Sequence, residues 1–310
     1  MLSYALRRIL YMIPLVIGVT LITFLLFNVV GQNPAYQMLG KGATAEEIEN
    51  LEHQLGIDRP LAVQYLDYLG SLLRMDFGRS WSTRQKISSM IKKGMGPSLM
   101  LAVPAFFFST IISLIIAMIA VYYRYSILDR ALVVLSVMGM SISTIVYIIA
   151  GQYFFSFKLG LFPVSGFEYS IRAVSYLVLP VLIWVVASAG ANVRFYRTVI
   201  IEESGNDFVL TARAKGLSGA RIMVKHIMKN ALIPIITQLI MTLPFLFLGN
   251  LFLEDFFGIP GLGNMSINAI NDSDFPVIQA MTFIGALLYM GANLAGDLLY
   301  GAVNPRVRYD

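Results

Sequence analysis

The chain has no cysteine among its 310 residues. That excludes a disulfide frame and a thiolate metal site, and it leaves the redox compartment unread. The two histidines, His53 and His226, lie far apart in the sequence, so there is no His pair for a metal. No acidic metal cluster or Ser-His-Asp set accompanies them, and a membrane-embedded enzyme has no catalytic set to draw on. No G-x-x-x-x-G-K-[ST] run occurs, so the chain cannot cradle a nucleotide phosphate in the P-loop manner. Charge is also scarce: 13% of residues are charged, against about a quarter in an ordinary soluble domain. What is abundant is oil, 57% hydrophobic residues and a mean hydropathy of +0.71, the composition of a membrane protein. The net charge of +5 would suit nucleic acid, but the places where the basic residues fall exclude that reading.

Six uncharged runs are long enough to cross about 30 Å of hydrocarbon, which takes roughly 20 helical residues. They are Ile9 to Val30, Pro97 to Tyr123, Ala131 to Phe157, Ala173 to Val193, Ala231 to Leu253 and Phe275 to Gly296. An even number predicts both termini on one side. Arg7, Arg8, Arg124, Arg130, Arg306 and Arg308 fall on that side, as do Arg194, Arg197, Arg213, Lys215, Arg221, Lys225 and Lys229, which makes it cytoplasmic by the positive-inside rule. The connection from Glu254 to Asp274 carries Asp255 and Asp272 as well and no basic residue, as an outer loop should. The loop from Gly31 to Gly96 is basic on the outer side, but at more than 60 residues its charge counts little. The expected fold is thus an all-α integral membrane protein of the cell membrane. It has six transmembrane helices, cytoplasmic termini and a helical extracytoplasmic segment between the first two. The organisation is 1–30, the N-terminal end and first helix; 31–96, the outer segment; and 97–310, the core, with a cytoplasmic loop at about 194–230.

Within the outer segment, Thr44-Ala-Glu-Glu47 fits a capping box, Ile48, Leu51 and Leu55 line one face, and Gly56 stops the helix. Asp58 and Pro60 open a second amphipathic helix with Leu61, Tyr65, Leu69 and Leu72 on one side. Such helices would lie on the outer membrane surface or on a partner, with Glu46, Glu47, Glu49 and Glu52 solvated. Pro14, Pro104, Pro180 and Pro244 are read as tolerated within membrane helices. The second to fourth runs hold no ionisable residue, which argues against a proton- or ion-coupled carrier. Their mild polar groups, Ser141, Ser143, Thr144, Gln152, Ser188 and Asn192, would close interhelical hydrogen bonds, with Ser141, Ser143, Gln152 and Asn192 as candidate pathway-lining residues. Asp297 reads as an interfacial tie. The stretch Glu254-Asp-Phe-Phe-Gly-Ile-Pro-Gly-Leu-Gly263 interleaves Phe256, Phe257, Ile259 and Leu262 with Gly258, Pro260, Gly261 and Gly263, which favour turns over a helix. It should fold back onto protein and is a candidate outer gate, with Glu254, Phe256, Phe257, Pro260, Gly261 and Gly263 as its residues. The pairs Gly291/Ala295 and Ala292/Gly296 would let another helix approach closely.

One polar stretch stands out, Asp207 to Pro234. Ser204-Gly205-Asn206 can cap a helix, Asp207 puts a carboxylate at its positive end, and Gly216 is the expected left-handed C-terminal glycine. Phe208 and Ala212 offer a small apolar face for a partner, and Arg213 and Lys215 charged contacts. Ser218 can cap a second helix carrying Arg221, Lys225 and Lys229 at four-residue intervals, a basic stripe suited to anionic lipid at about 1 kcal/mol per residue, before it runs into the apolar segment at Ala231. His226 is expected to be a structural hydrogen-bonding residue.

Thr211-Ala-Arg-Ala-Lys-Gly216, followed by His226 and Asn230-Ala-Leu-Ile-Pro234, closely resembles the cytoplasmic EAA loop of ABC-importer permeases, and within them the B-type permease of dipeptide, oligopeptide and nickel importers. The resemblance extends over nearly the whole chain. It takes in Arg7-Arg8, Leu55-Gly-Ile-Asp-Arg-Pro-Leu61, Gln64-Tyr65, Asp129, Pro163, Gly166, Arg194, Arg197, Glu254, Phe257, Pro260-Gly-Leu-Gly263, Asp274-Phe-Pro276, Asp297 and Asn304-Pro-Arg306. Leu210 stands where the general signature begins with Glu, and Lys229 where it has a later proline, as in the peptide branch. Gly31-Gln-Asn-Pro34 and Met75-Asp76-Phe-Gly78 depart from that branch's usual forms. The resemblance implies an importer of two permeases, two ATP-binding cassette subunits that bind ATP and Mg, and an extracytoplasmic substrate-binding protein, set in the lipid bilayer. This chain would be a non-catalytic subunit with no cofactor and no metal of its own. ATPase coupling would fall to Asp207, Phe208, Thr211, Ala212, Arg213, Ala214, Lys215 and Gly216. Peptides are the favoured substrate, with nickel or another metal chelate as the alternative within the family; a self-sufficient carrier or channel is the alternative outside it.

Overall fold

The computed structural model describes residues 2–30, 35, 39, 43–170 and 173–303. Arg306 and Arg308, the Asn304-Pro-Arg306 match and Gly31-Gln-Asn-Pro34 lie outside the described residues. Among the described residues no strand forms; Arg79 and Lys86 make one isolated antiparallel bridge. The chain begins with α1 (Leu2–Leu25), continued by a π-helical turn (Leu26–Val30), followed by α2 (Ala45–Leu55) and α3 (Leu61–Leu73). Next come α4 (Ile87–Tyr122), α5 (Ile127–Ser141), α6 (Thr144–Gly151) with a π-helical extension (Gln152–Lys158), and α7 (Ala173–Ser204). The remainder is α8 (Asp207–Ala214), α9 (Gly219–Ile222), a π-helical turn (Met223–Ile227), α10 (Met228–Leu248), α11 (Leu251–Phe256), α12 (Leu262–Asn271) and α13 (Phe275–Val303).

Five of these stretches are long and apolar enough to cross a membrane: Leu10–Asn28, Ile87–Tyr122, Ala173–Ser204, Gly219–Phe256 and Phe275–Leu299. A sixth arises if α5 and α6 count as one span. The third expected run is therefore corrected: Ala131 to Phe157 is not one rod, because the chain turns by 92° between α5 and α6. The break falls at Ile142, in extended conformation, and Ser143, the N-cap of α6. The second span starts earlier than the uncharged run, at Ile87. Ile87 and Ile91 are buried with Leu262, Ala269 and Val277, and this packing holds the first turns of α4 in helix despite Lys92, Lys93 and Pro97. Pro14, Pro104, Pro180 and Pro244 all sit inside helices, as expected.

The bundle is built on α4 and α7, which pack most extensively, with α10 against α13, α5 against α7 and α1 against α13. Arg8 of α1 meets Asp297 of α13 at 2.9 Å, the tie expected of Asp297. In the outer segment the capping box forms as read: Thr44 Oγ1 accepts from the Glu47 amide while the Glu47 carboxylate accepts from the Thr44 amide at 2.8 Å. The helix ends on Gly56 at φ +68°. The surroundings of α3 differ from expectation, because it packs on the chain's own first span. Tyr65 and Thr20 hydroxyls bond at 3.0 Å, and the Phe24 ring packs on Tyr65 and Tyr68. Further on, Asp274 is buried and accepts hydrogen bonds from the Ser80 hydroxyl and the Trp81 amide. That pins the approach to α4 onto the start of α13.

Candidate functional site

The polar stretch folds as its residues dictate. Asn206 takes the extended N-cap conformation, although its side chain bonds Glu203 and does not cap. Asp207 opens α8, and the helix closes on Lys215 and on Gly216 at φ +74°, a left-handed conformation that suits glycine. With a period of 3.6, Asp207, Leu210, Thr211 and Ala214 share one face, and all four are exposed. Val209 and Ala212 point the other way and are 1% and 4% exposed. They join Ala117 and Val121 of α4, Tyr196 and Ile200 of α7 and Met228 of α10 in one buried cluster.

This corrects the face expected for a partner. Ala212 is spent on holding α8 to its own bundle, and Phe208 packs partly on the same cluster. The outward apolar group is Leu210, 62% exposed. Arg213 and Lys215 flank it, exposed and without an ion pair among the described residues. Ser218 occupies the N-cap position of α9, and the basic residues Arg221, Lys225 and Lys229 are exposed. They do not form a regular four-residue stripe, because the helix is π-wound from Met223 to Ile227. His226 is half-buried in that turn and, among the described residues, forms no hydrogen bond, contrary to expectation.

Beside α8, Arg197 grips Asp129 through Nε at 2.9 Å and Nη2 at 3.0 Å. The Tyr125 amide also donates to Asp129 at 3.1 Å. Ser126 caps α5, so this buried carboxylate fixes the short α4–α5 turn to α7. A two-pronged guanidinium bond is directional as well as strong.

The second constellation lies toward the other end of α4. Leu101 and Ala105 belong to a buried cluster with Leu253, Phe257 and Ile259, while Ala117 belongs to the α8 cluster. At 1.5 Å per residue, Leu101 and Ala117 are roughly 24 Å apart along one helix. Here the expected irregular loop is mostly helical. Glu254 and Phe256 lie in α11, Phe257 to Gly261 form a tight turn, and Gly261 is the N-cap of α12. Glu254 explains the geometry. Fully buried, it accepts from Ser98 Oγ at 2.8 Å and from the amides of Asn250 at 3.0 Å, Gly263 at 2.7 Å and Asn264 at 3.2 Å. Ser98 Oγ in turn accepts from the Leu262 amide at 2.8 Å. A carboxylate at a helix N-terminus meets the unpaired amides and the positive end of the dipole. A Cβ on Gly261 would strike this carboxylate, and Gly263 has no room for one either, with Asn250 C at 2.7 Å. The PGLG run is therefore the cradle of Glu254.

Of the residues expected to line a pathway, Gln152 is tied down, donating to Val164 O at 3.1 Å and to Phe256 O at 2.9 Å. It joins the α6 extension to the gate turn. Ser141 and Ser143 flank the 92° bend, Ser141 bonding back to Val137 O at 2.8 Å. Asn192 is half-buried on α7. No group of three or more metal-ligating side chains occurs among the described residues.

A bundle of membrane-length helices, with one short helix held at its edge by two buried residues, defines a multi-pass membrane protein. Comparison with known proteins gives the family. Residues 109–309 match the binding-protein-dependent transport system inner membrane component, and residues 1–102 match the N-terminal part of such a component. The glutathione transport system permease protein GsiC of Salmonella typhimurium (strain LT2) is 33% identical over 309 residues, covering all of both chains. A putative peptide transport system permease protein of Brucella abortus (strain 2308) is 32% identical over 315 residues, again covering all of both. The chain belongs to the family of binding-protein-dependent transport system inner membrane components, the permeases of ABC importers.

Proposed function

We propose that this chain is one of two permease subunits of an ATP-driven importer of short peptides, and that an ATPase subunit drives it through α8. The observation that carries the coupling reading is the division of labour on α8. Val209 and Ala212 clamp the helix to α4, α7 and α10, while Asp207, Leu210, Thr211 and Ala214 stay free for a partner. A push on such a helix is delivered to three membrane helices at once, because packed interfaces move as units. Nucleotide and Mg would be held by the ATPase pair, and an extracytoplasmic binding protein would deliver the substrate. The α8 end would face the cytoplasm with both termini, leaving α2, α3 and the Glu254 turn outside, where the turn forms the outer lip of the pathway.

The substrate reading rests on relatives whose names specify glutathione and peptides. The test is uptake by the whole complex in liposomes. Addition of ATP inside and binding protein outside should drive accumulation of a labelled tripeptide, and omission of either should abolish it. Accumulation of a nickel chelate in place of peptide would reverse the substrate assignment, and ATP-independent flux by this chain alone would make it a carrier.

A further inference from the structure

Between α5 and α7 lies a cleft of about 240 Å³ that the transport reading leaves unused. Its walls are apolar: Leu132, Val133 and Val137 from α5, and Val193 from α7. Four polar side chains also line it, Ser136, Arg194, Arg197 and Thr198. Arg197 is committed to Asp129. Arg194 is not: its one polar contact among the described residues is Met140 Sδ at 4.0 Å, and no carboxylate pairs with it. Ser136 likewise makes no hydrogen bond among the described residues, although helical hydroxyls usually bond back to the preceding turn, as Ser141 and Thr198 do here. The cleft thus offers a guanidinium and a hydroxyl, both uncommitted, against an apolar wall. Gly190 fixes its geometry, since a Cβ there would meet the backbone of Ser136 and Met140, so α7 lies directly on α5.

Arg194 is exposed beside apolar side chains, where a cation at a membrane surface attracts anionic headgroups. A planar guanidinium suits phosphate oxygens through paired N–H bonds. Asp129, the buried carboxylate nearby, is already used by Arg197 and by the Tyr125 amide, so nothing in the cleft would receive a ligand's ammonium group. Next to the cleft, α5 exposes Val134, Leu135 and Met138 at 56%, 61% and 59%, an apolar ridge about 6 Å long at 1.5 Å per residue, against which the first carbons of an acyl chain can lie. Arg194 sits about 15 Å from the C-terminal end of α7 at 1.5 Å per residue, where the helix changes from apolar to charged, the level of an interface. From the cation, the free hydroxyl and the apolar ridge, we infer that this cleft binds an anionic phospholipid. Its phosphate would accept from Arg194 and Ser136, and an acyl chain would lie along α5.

The purified full-length chain would be offered phosphatidylglycerol and phosphatidylcholine in equal amounts, and retained lipid would be counted by native mass spectrometry. Wild type should retain phosphatidylglycerol in preference. Arg194→Gln should lower that retention about tenfold, the loss of roughly 1.4 kcal/mol, Arg194→Lys should restore part of it, and Arg74→Gln, at the end of α3, should leave it unchanged. Ser136→Ala removes only a hydroxyl and should weaken retention too, which keeps the test open if Arg194→Gln fails to fold. Equal retention of both lipids, or unchanged retention in Arg194→Gln, would overturn the assignment. So would displacement of the lipid by millimolar inorganic phosphate, since that marks a small-anion site. Association of a second copy that competes with lipid would give the cleft to protein instead. Neither ATP nor peptide enters the assay, so its outcome is separate from that of the transport reading.

Discussion

At the residue scale the molecule depends on two buried carboxylates used in different ways. Asp129 answers a guanidinium; Glu254 answers backbone amides. Removing Glu254 leaves the amides of Asn250, Gly263 and Asn264 and the Ser98 hydroxyl without their acceptor, at about 1–3 kcal/mol for each buried donor stranded. Glu254→Ala should therefore lower the unfolding midpoint in detergent more than Glu254→Gln, which keeps one acceptor oxygen. Gly261→Ala should approach Glu254→Ala in severity, because its methyl would occupy the carboxylate's place. For Asp129, Arg197→Met alone should cost about 3 kcal/mol or more by stranding a buried charge, whereas Asp129→Leu with Arg197→Met should cost less. A thermal-unfolding double-mutant cycle reads this directly. The sequence marked Glu254 as part of a turn but hid its role, because Ser98, the side chain that donates to it, is 156 positions away. The two glycines beyond the proline were the readable sign that something approaches the backbone closely.

Helix boundaries were legible at the scale of elements; faces and bends were not. Thr44 and Gly56 announced the two ends of α2, and Gly216 the end of α8, through local chemistry that needs no tertiary partner. Which side of α8 turns inward depends on Ala117, Tyr196 and Met228 on other helices, so the inward position of Ala212 is not legible in the local sequence. The bend between α5 and α6 is not legible because no proline marks it, and Gly139, Ser141, Ser143 and Thr144 around the break are residue types that unbroken membrane helices also carry. Two substitutions separate the faces of α8. Val209→Asp should cost several kcal/mol by placing a charge in the buried cluster, and the unfolding midpoint should fall. Leu210→Asp, one residue away and exposed, should leave the midpoint within about 0.5 kcal/mol of wild type.

For the whole molecule, the apolar runs gave the class and nearly all the spans. The packing of α2 and α3 on the first span lay beyond them, since it rests on pairs such as Tyr65 with Thr20, 45 positions apart. Orientation has a simple test because the chain has no cysteine: single cysteines can be introduced without removing any. A membrane-impermeant maleimide applied to intact cells should label Glu49→Cys and spare Leu210→Cys, and inverted vesicles should reverse the pattern. On the proposed reading, work reaches the bundle through the outward face of α8. Its most direct test is retention of the ATPase subunit by this chain on co-purification, wild type against Leu210→Asp, with the unfolding midpoint measured alongside. Loss of the ATPase subunit at an unchanged midpoint is the predicted result; undiminished retention, with transport intact, would contradict it.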